Sequence, residues 1–235
     1  MKRFLILLAA LCAALSSLPA SPAAVPEHVE IKYRVSLGAM KIGEGLAVFQ
    51  HDGKTYSIVS DSRTAGLAAV LYPLNIHHEA KGSVNASGLQ PVSFVEMRNG
   101  RFKRSANFDW STNQVQLTDG DKRQTVALPP NTWDVTSFAW NFVFAQPEGR
   151  DIKLHLTDGR RVTEYRYAIL GHETLDTPLG AIDTLHVKKV QEAGDKRAFE
   201  VWLAADRHYL PVRTRYTENG TAFDSLVESI DPAQP

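Results

Sequence analysis

The residues of this chain that could carry acid–base or metal chemistry are histidines and carboxylates, and their spacing matches no catalytic pattern. His77, His78 and Glu79 form the one run that invites a metal ion. Neighbouring side chains on a β-strand point to opposite faces, so His77 and His78 cannot chelate one ion from regular strand geometry. The chain contains no HExxH, Gly-x-Ser-x-Gly, P-loop or dinucleotide-binding pattern. The sequence therefore predicts no catalytic residue, metal site or cofactor, and it favours a non-enzymatic function.

Carboxylates that could pair for glycoside hydrolysis are scattered, and their spacing cannot be tested from sequence. They include Asp109, Asp134, Glu164, Asp183 and Glu200. A hydrolase acting on envelope polysaccharide stays open as an alternative. It requires two carboxylates that face one cleft.

The C-terminal region offers a tryptophan and two arginines as candidate ligand contacts. Arg213 and Arg215 are two residues apart on a predicted strand, so both guanidinium groups project from one face and could hold a phosphate or carboxylate. The alternative is that they pair with acids across the sheet. Trp202 lies on the strand face opposite Val201 and Leu203, as either a second core layer or a ligand contact.

An aromatic segment over about residues 132–145 has the clearest helical pattern. One helical stripe contains Val135, Phe138, Ala139 and Phe142, at i, i+3, i+4 and i+7. Trp133 and Trp140 add large rings on its flank. We predict a short helix that lies as a plug or lid in the concave side of a curved sheet. The alternative is that these aromatic residues are ordinary core.

A second, short apolar helix is predicted over about residues 66–72, before Pro73. If exposed, it would form an apolar surface patch, and if buried, it would close one mouth of a barrel. We favour a second lid. Its mouth-lining residues would be Leu67, Val70, Leu71 and Tyr72.

The remaining chain has the sequence pattern of β-strands joined by tight turns. Five dipeptides that accept the positive φ angles of tight hairpin turns lie between β-rich runs: Asp52–Gly53, Asn99–Gly100, Asp119–Gly120, Asp158–Gly159 and Asn219–Gly220. The runs alternate apolar and polar residues, and no βαβ rhythm appears. The sequence predicts a mainly β protein, in which a curved antiparallel meander forms a barrel or half-barrel.

The N-terminal segment and the amino-acid composition indicate where in the cell the protein acts. Residues 1–24 read as a secretory signal peptide, with Lys2 and Arg3 before an apolar run too short for a comfortable membrane span. Cys12, the only cysteine, lies within it, so we expect no disulfide or thiol chemistry in the mature protein. Residues 25–235 would form a single β-rich domain in the periplasm, with no transmembrane segment after cleavage. The 26 basic and 26 acidic residues give no charge excess for nucleic acid.

Several segments in order resemble the bacterial exported family called domain of unknown function 3108. The resemblance implies a β-rich envelope protein and carries over no catalytic motif. Besides the aromatic helix, the matching segments are GLAAVLYP at Gly66–Pro73, GLQPVSF at Gly88–Phe94, NFDW at Asn107–Trp110, TPLGAIDT at Thr177–Thr184 and VWLAADRHYLPVRTRY at Val201–Tyr216.

Export, a strand meander and an aromatic helix together indicate a binding protein. We predict that a β-barrel cavity holds an apolar or amphipathic, lipid-like ligand. An accessory or scaffold protein of envelope assembly, acting through a protein partner, is the alternative. The predicted ligand contacts are Trp133, Phe138, Trp140, Phe142, Trp202, Leu67, Tyr72 and Arg213.

Overall fold

Fifteen β-strands build the protein into one curved sheet. The computed structural model describes residues 25–232, so the predicted signal peptide over residues 1–24 lies outside the described residues. The strands are β1 (His28–Leu37), β2 (Met40–His51), β3 (Thr55–Thr64), β4 (Asn75–Asn85), β5 (Gly88–Arg98), β6 (Arg101–Asp109), β7 (Gln114–Asp119), β8 (Lys122–Ala127), β9 (Thr132–Asp134), β10 (Asp151–Thr157), β11 (Val162–Thr177), β12 (Gly180–Lys189), β13 (Arg197–Ala204), β14 (Leu210–Glu218) and β15 (Thr221–Asp231). The helices are α1 (Gly66–Leu71) and α2 (Ser137–Asn141).

The strand order confirms the predicted antiparallel meander. It runs β8-β7-β6-β5-β4-β3-β2-β1-β15-β14-β13-β12-β11-β10-β9, so nearly every strand pairs with its neighbours in sequence. The pairing of β1 with β15 joins the two halves, and only β9 and β10 run parallel. The turn dipeptides act as expected: Asn99 and Gly100 both have positive φ between β5 and β6, as do Asn219 and Gly220 between β14 and β15.

Contacts bridge the gap between the edge strands β8 and β9, which residues 128–131 connect. Gln124 Nε2 donates to the carbonyl oxygen of Arg160 at 2.7 Å. Arg104 Nη1 donates to Asp158 Oδ2 at 2.8 Å, from β6 to the β10–β11 turn. The sheet therefore curls into a barrel-like form that strand pairing does not close.

Every second connection between the strands of the meander lies at the same end of the sheet. The β1–β2, β5–β6, β10–β11 and β14–β15 turns share this end with α1, which joins β3 to β4. We call it the α1 end. No helix within residues 25–232 has the length and apolar character needed to cross a bilayer.

The aromatic helix is shorter than predicted. Residues 132–134 form β9, which pairs with β10, and only Ser137–Asn141 are helical. The backbone N–H groups of Thr136 and Ser137 donate to Asp134 Oδ1 at 2.9 and 2.8 Å, and this turn starts the helix. The edge pairing available to residues 132–134 overrides the helical pattern there.

Every residue of α2 is buried inside the curve of the sheet, as both the plug and the ordinary-core alternatives predict. Trp140 packs in a cluster with β1, β2, β3 and β15, whereas Phe138 and Phe142 pack with β10 to β13. The helix therefore links two parts of the core across the interior of the sheet. By contrast, α1 has no buried residue. Of the two alternatives for the segment, the exposed apolar patch is the one observed.

Gly82 marks a close approach of β4 to β5. A Cβ atom there would overlap the carbonyl oxygen of Gln90 and lie 2.7 Å from Cε1 of Tyr56. We expect Gly82→Ala to lower the free energy of unfolding by about 1–3 kcal/mol, because the β5 backbone must move to make room. Urea denaturation measures this, with the exposed neighbour Lys81→Ala as a control expected to change stability by less than about 0.5 kcal/mol. Equal stability of both variants would contradict the prediction.

Candidate functional site

A cavity of about 540 Å³ opens inside the curve of the sheet, towards the α1 end. Its walls come from both halves of the sheet, β4 to β6 on one side and β10 to β14 on the other, with Phe138 of α2 beneath. This size lies within the range of about 300–1,000 Å³ that is usual for small-molecule sites. The candidate site therefore lies between the two halves of the sheet and is open to solvent.

One part of the cavity wall is apolar. Phe138 packs its ring 4.7 Å from the ring of Tyr167, and Phe199 lies 6.4 Å from Phe138, measured between centroids. Burial raises the pKa of Tyr167, so its hydroxyl stays protonated. The apolar and aromatic lining residues are Ile76, Val135, Phe138, Leu156, Tyr165, Tyr167, Ala198, Phe199 and Tyr216.

Charged side chains line the rest of the wall, and basic groups exceed acidic ones. The basic residues are Arg98, Arg104, Arg160, Arg161, Lys189 and Arg197, and the acidic residues are Glu96, Asp158 and Glu218. A mixed lining of rings and excess cations fits a molecule with an apolar body and an anionic end.

The acids of the cavity are already engaged by arginines. Arg104 Nη1 lies 2.8 Å from Asp158 Oδ2 and 3.7 Å from Glu96 Oε2. Arg98 Nε also contacts Glu96, and Arg197 Nε bonds Glu218 at 2.7 Å. Arg160 keeps a buried Nε that has no hydrogen-bond partner among the described residues. Arg160 Nη2 also lies 3.6 Å from Asp158 Oδ2, so two arginines share this carboxylate, and the β10–β11 turn keeps an excess of positive charge through Arg161.

His78 contributes a neutral ring to the cavity. Burial lowers the pKa of His78 to about 4, although the nearby Glu96 carboxylate opposes this shift. Its Nε2 lies 3.9 Å from Glu96 Oε2. His77 projects to the other face and bonds Asp61 at 2.9 Å, which confirms that the two histidines diverge. Residues 25–232 contain no cluster of side chains suited to hold a metal ion.

The predicted ligand contacts of the aromatic segment divide between cavity and core. Phe138 lines the cavity. Trp140 and Phe142 are each 4% exposed and belong to the core. Trp133 is half-buried, and its Nε1 donates to the carbonyl oxygen of Leu89 at 2.7 Å. Of the four ligand contacts predicted in this segment, only Phe138 lines the cavity.

Trp202 and Arg213 lie together, away from the cavity. The Trp202 ring is buried between the ring of His186, at 4.1 Å, and the guanidinium of Arg213, at 4.5 Å, and its Nε1 donates to Glu173. Arg213 forms a two-bond ion pair with Asp224, at 2.8 and 2.6 Å. Arg213 therefore pairs with an acid across the sheet, which was the alternative to its role as a ligand contact. Leu67 and Tyr72, at α1, are exposed to 74% and 80%.

The scattered carboxylates do not gather at one cleft. Asp134 is fully buried beneath α2, and Asp109 accepts hydrogen bonds from the turn at Ser111. Glu200 bonds His186 at 2.9 Å on the sheet face that carries Trp202. None of the five candidate residues lines the cavity, so the pairing that the hydrolase alternative requires is not found there.

Sequence reasoning missed most of the cavity residues. Arg160 and Arg161 directly follow a predicted hairpin turn, where a basic pair is usually a solvated surface. Tyr165, Tyr167 and Phe199 show strand alternation, which indicates a shared face but not whether that face borders a cavity. The alternating aromatic residues were the signal that could have found this wall.

A curved meander wrapped round a buried helix and an internal cavity defines a β-barrel-like protein. A solved structure agrees, the β-barrel-like protein of domain of unknown function DUF1849 from Brucella abortus, with a TM-score of 0.58 and 10% identity over 89% of this chain and 99% of that chain. A protein described as a putative lipoprotein from Parabacteroides distasonis gives a TM-score of 0.36 and 12% identity over 88% of this chain and 96% of that chain.

The chain belongs to the family described as protein of unknown function DUF3108, whose model matches residues 32–226. This confirms the family that the sequence resembles. No curated protein matches the chain.

Proposed function

We propose that the protein is an exported, periplasmic and non-enzymatic binding protein for an amphipathic, lipid-like molecule. The observation that carries the proposal is the cavity of about 540 Å³, with an aromatic wall on one part and a basic wall on another. The acyl portion of the ligand lies against Phe138, Tyr167 and Phe199. Its anionic end meets Arg160 and Arg161.

The acyl portion and the anionic end of the ligand contribute to the binding free energy in different ways. Each methylene group of an acyl chain moved from water into the apolar part of the cavity contributes about 0.8 kcal/mol. The anionic end contributes orientation and specificity, since a charge-assisted hydrogen bond from an arginine in a sheltered site is worth about 1.5–3 kcal/mol. An uncharged ligand of equal length leaves the surplus cations unmatched, so the proposal favours a carboxylate or phosphate end.

Native mass spectrometry tests this proposal on protein purified from its own envelope without detergent, followed by organic extraction of anything released. We expect a lipid with an acidic headgroup in a stoichiometric amount. Phe199→Asp places a carboxylate in the apolar wall and should abolish binding. Arg161→Glu, at an exposed position, should weaken binding at least about tenfold while the circular dichroism spectrum is unchanged.

Val92→Ser provides a matched control, because Val92 is 50% exposed and does not line the cavity. It should retain the bound lipid. A clean mass of the unliganded protein that stays unchanged when total envelope lipid is offered would exclude the proposal. Binding that survives both cavity variants would place the lipid elsewhere on the molecule.

A further inference from the structure

The exposed apolar side chains of the protein concentrate at the α1 end. Met40 lies beside the β1–β2 turn and is 62% exposed, and Phe102 follows the β5–β6 turn and is 48% exposed. Between these turns α1 and the residue after it expose Leu67, Val70, Leu71 and Tyr72, each to between 66% and 80%. We call these six residues the apolar rim.

Helix α1 lies on the surface of the described protein, against β2 and β3. None of its residues is buried, and neither its first nor its last turn carries a charged residue. The chain from Thr64 to His78 contains no aspartate, glutamate, lysine or arginine. A helix with this composition leaves a large apolar surface in water, which is unfavourable unless another surface covers it.

The neighbouring β5–β6 hairpin adds positive charge to the same surface. Arg101 and Lys103 lie on it, no acidic residue occurs from Met97 to Phe108, and Arg98 at its base is paired with Glu96. Asn99 fixes this hairpin against the exit from α1, since its Nδ2 donates to the carbonyl oxygen of Pro73 at 3.3 Å. Arg98 also lines the cavity. The apolar rim is therefore continuous with the mouth of the candidate site.

We propose that the α1 end docks on the surface of an anionic lipid bilayer, with the apolar rim inserted among the headgroups and the β5–β6 cations against lipid phosphates. Apolar side chains on an element at the interface, flanked by basic residues, are the usual features of such contacts. The rim residues come from three successive connections at one end of a curved sheet. A planar surface can touch all three at once, whereas a groove on a protein partner would match a single continuous ridge.

This inference extends the proposed function, because the docked bilayer would be the source or the destination of the lipid in the cavity. The mouth beside Arg98 would then open towards the membrane, so an acyl chain could pass between bilayer and cavity without crossing water. Docking and cavity occupancy remain separate properties, since the rim residues do not line the cavity.

Flotation of the purified protein with vesicles tests the docking. We expect binding to phosphatidylcholine vesicles that contain phosphatidylglycerol, weaker binding to pure phosphatidylcholine, and a decline with added salt. Leu67→Ser combined with Leu71→Ser should lower partitioning by about tenfold per leucine. Arg101→Gln combined with Lys103→Gln should weaken binding to the anionic vesicles alone by about tenfold.

Leu170→Ser is the matched control, because Leu170 is a 57% exposed leucine on β11, away from the apolar rim. It should leave vesicle binding unchanged. Absence of binding to either vesicle, or an equal loss in Leu170→Ser, would overturn the inference. Sedimentation velocity that shows a dimer, lost in the double leucine variant, would assign the rim to a second copy instead. Native mass spectrometry separates the two proposals: a bound lipid retained by the rim variant supports the cavity even where docking fails.

Discussion

Replacing Trp140 by alanine will lower the free energy of unfolding by about 3–5 kcal/mol, the usual range for loss of a large buried ring. Trp140 is 4% exposed and stacks on the fully buried Phe49, with centroids 5.0 Å apart and planes 14° apart. Phe49 lies on β2, so this stack attaches the plug helix to the N-terminal half of the sheet. The variant would leave a void at the junction that the rigid strands cannot collapse to fill.

Chemical denaturation followed by circular dichroism measures the effect. Trp140→Phe keeps a stacked ring and should cost less than half as much as the alanine variant. Leu170→Ser, which changes an exposed side chain, should alter stability by less than about 0.5 kcal/mol. A Trp140→Ala protein within 1 kcal/mol of wild type, a difference of about fivefold in the folding equilibrium, would show that α2 does not hold the core together.

The fold could be predicted from sequence because the turn residues that decide which strands pair are close together along the chain. Asn99–Gly100 and Asn219–Gly220 adopt the positive φ angles that their residue types permit, and each turn fixes which strands pair. The aromatic segment contains a buried helix, but the predicted bounds of about 132–145 are too wide at both ends, since only Ser137–Asn141 are helical. Residues 132–134 have helical periodicity in sequence, yet an edge of the sheet was available to them, and pairing with β10 satisfies their backbone.

The candidate site could not be predicted to the same extent because its residues are distant in sequence. Glu96 on β5, Asp158 beside the β10–β11 turn and Arg104 on β6 meet only because the sheet curls until its two halves face each other. Curvature of this kind depends on the sum of strand twist and register shifts, such as those within β4–β5 and β5–β6 pairing, and no single residue encodes it. The position of Trp202 on its strand is therefore compatible with either core or ligand contact, and the structure places it in the core.

The Asp134 carboxyl group at the start of α2 offers a second large effect on stability. Asp134 is fully buried, and its Oδ1 accepts the backbone N–H groups of Thr136 and Ser137. Its Oδ2 accepts the Ser137 hydroxyl at 2.6 Å, and Ser137 Oγ lies 2.9 Å from the hydroxyl of Tyr56 on β3. One carboxyl group thus joins the helix start to the opposite wall of the sheet.

We expect Asp134→Ala to destabilise the protein by about 2–6 kcal/mol, because two buried N–H groups lose their acceptor and each unsatisfied group costs about 1–3 kcal/mol. Asp134→Asn is the matched variant. Its amide oxygen can accept the N–H groups of Thr136 and Ser137, so it should retain most of the stability that alanine loses. Equal losses in the two variants, measured by urea denaturation, would show that the hydrogen bonds at this position contribute little.

The pH dependence of these variants follows from the burial of Asp134. Burial raises the pKa of the Asp134 carboxyl above its ordinary value of 3.8, against the lowering effect of its hydrogen bonds. The folded state therefore holds this proton more tightly than the unfolded state. The stabilisation is complete below the unfolded pKa and is lost as pH rises through the folded pKa. Because asparagine does not titrate, Asp134→Asn should gain stability relative to wild type as pH rises above the ordinary aspartate pKa of 3.8. A constant difference between the two proteins across this range would contradict a raised pKa at Asp134.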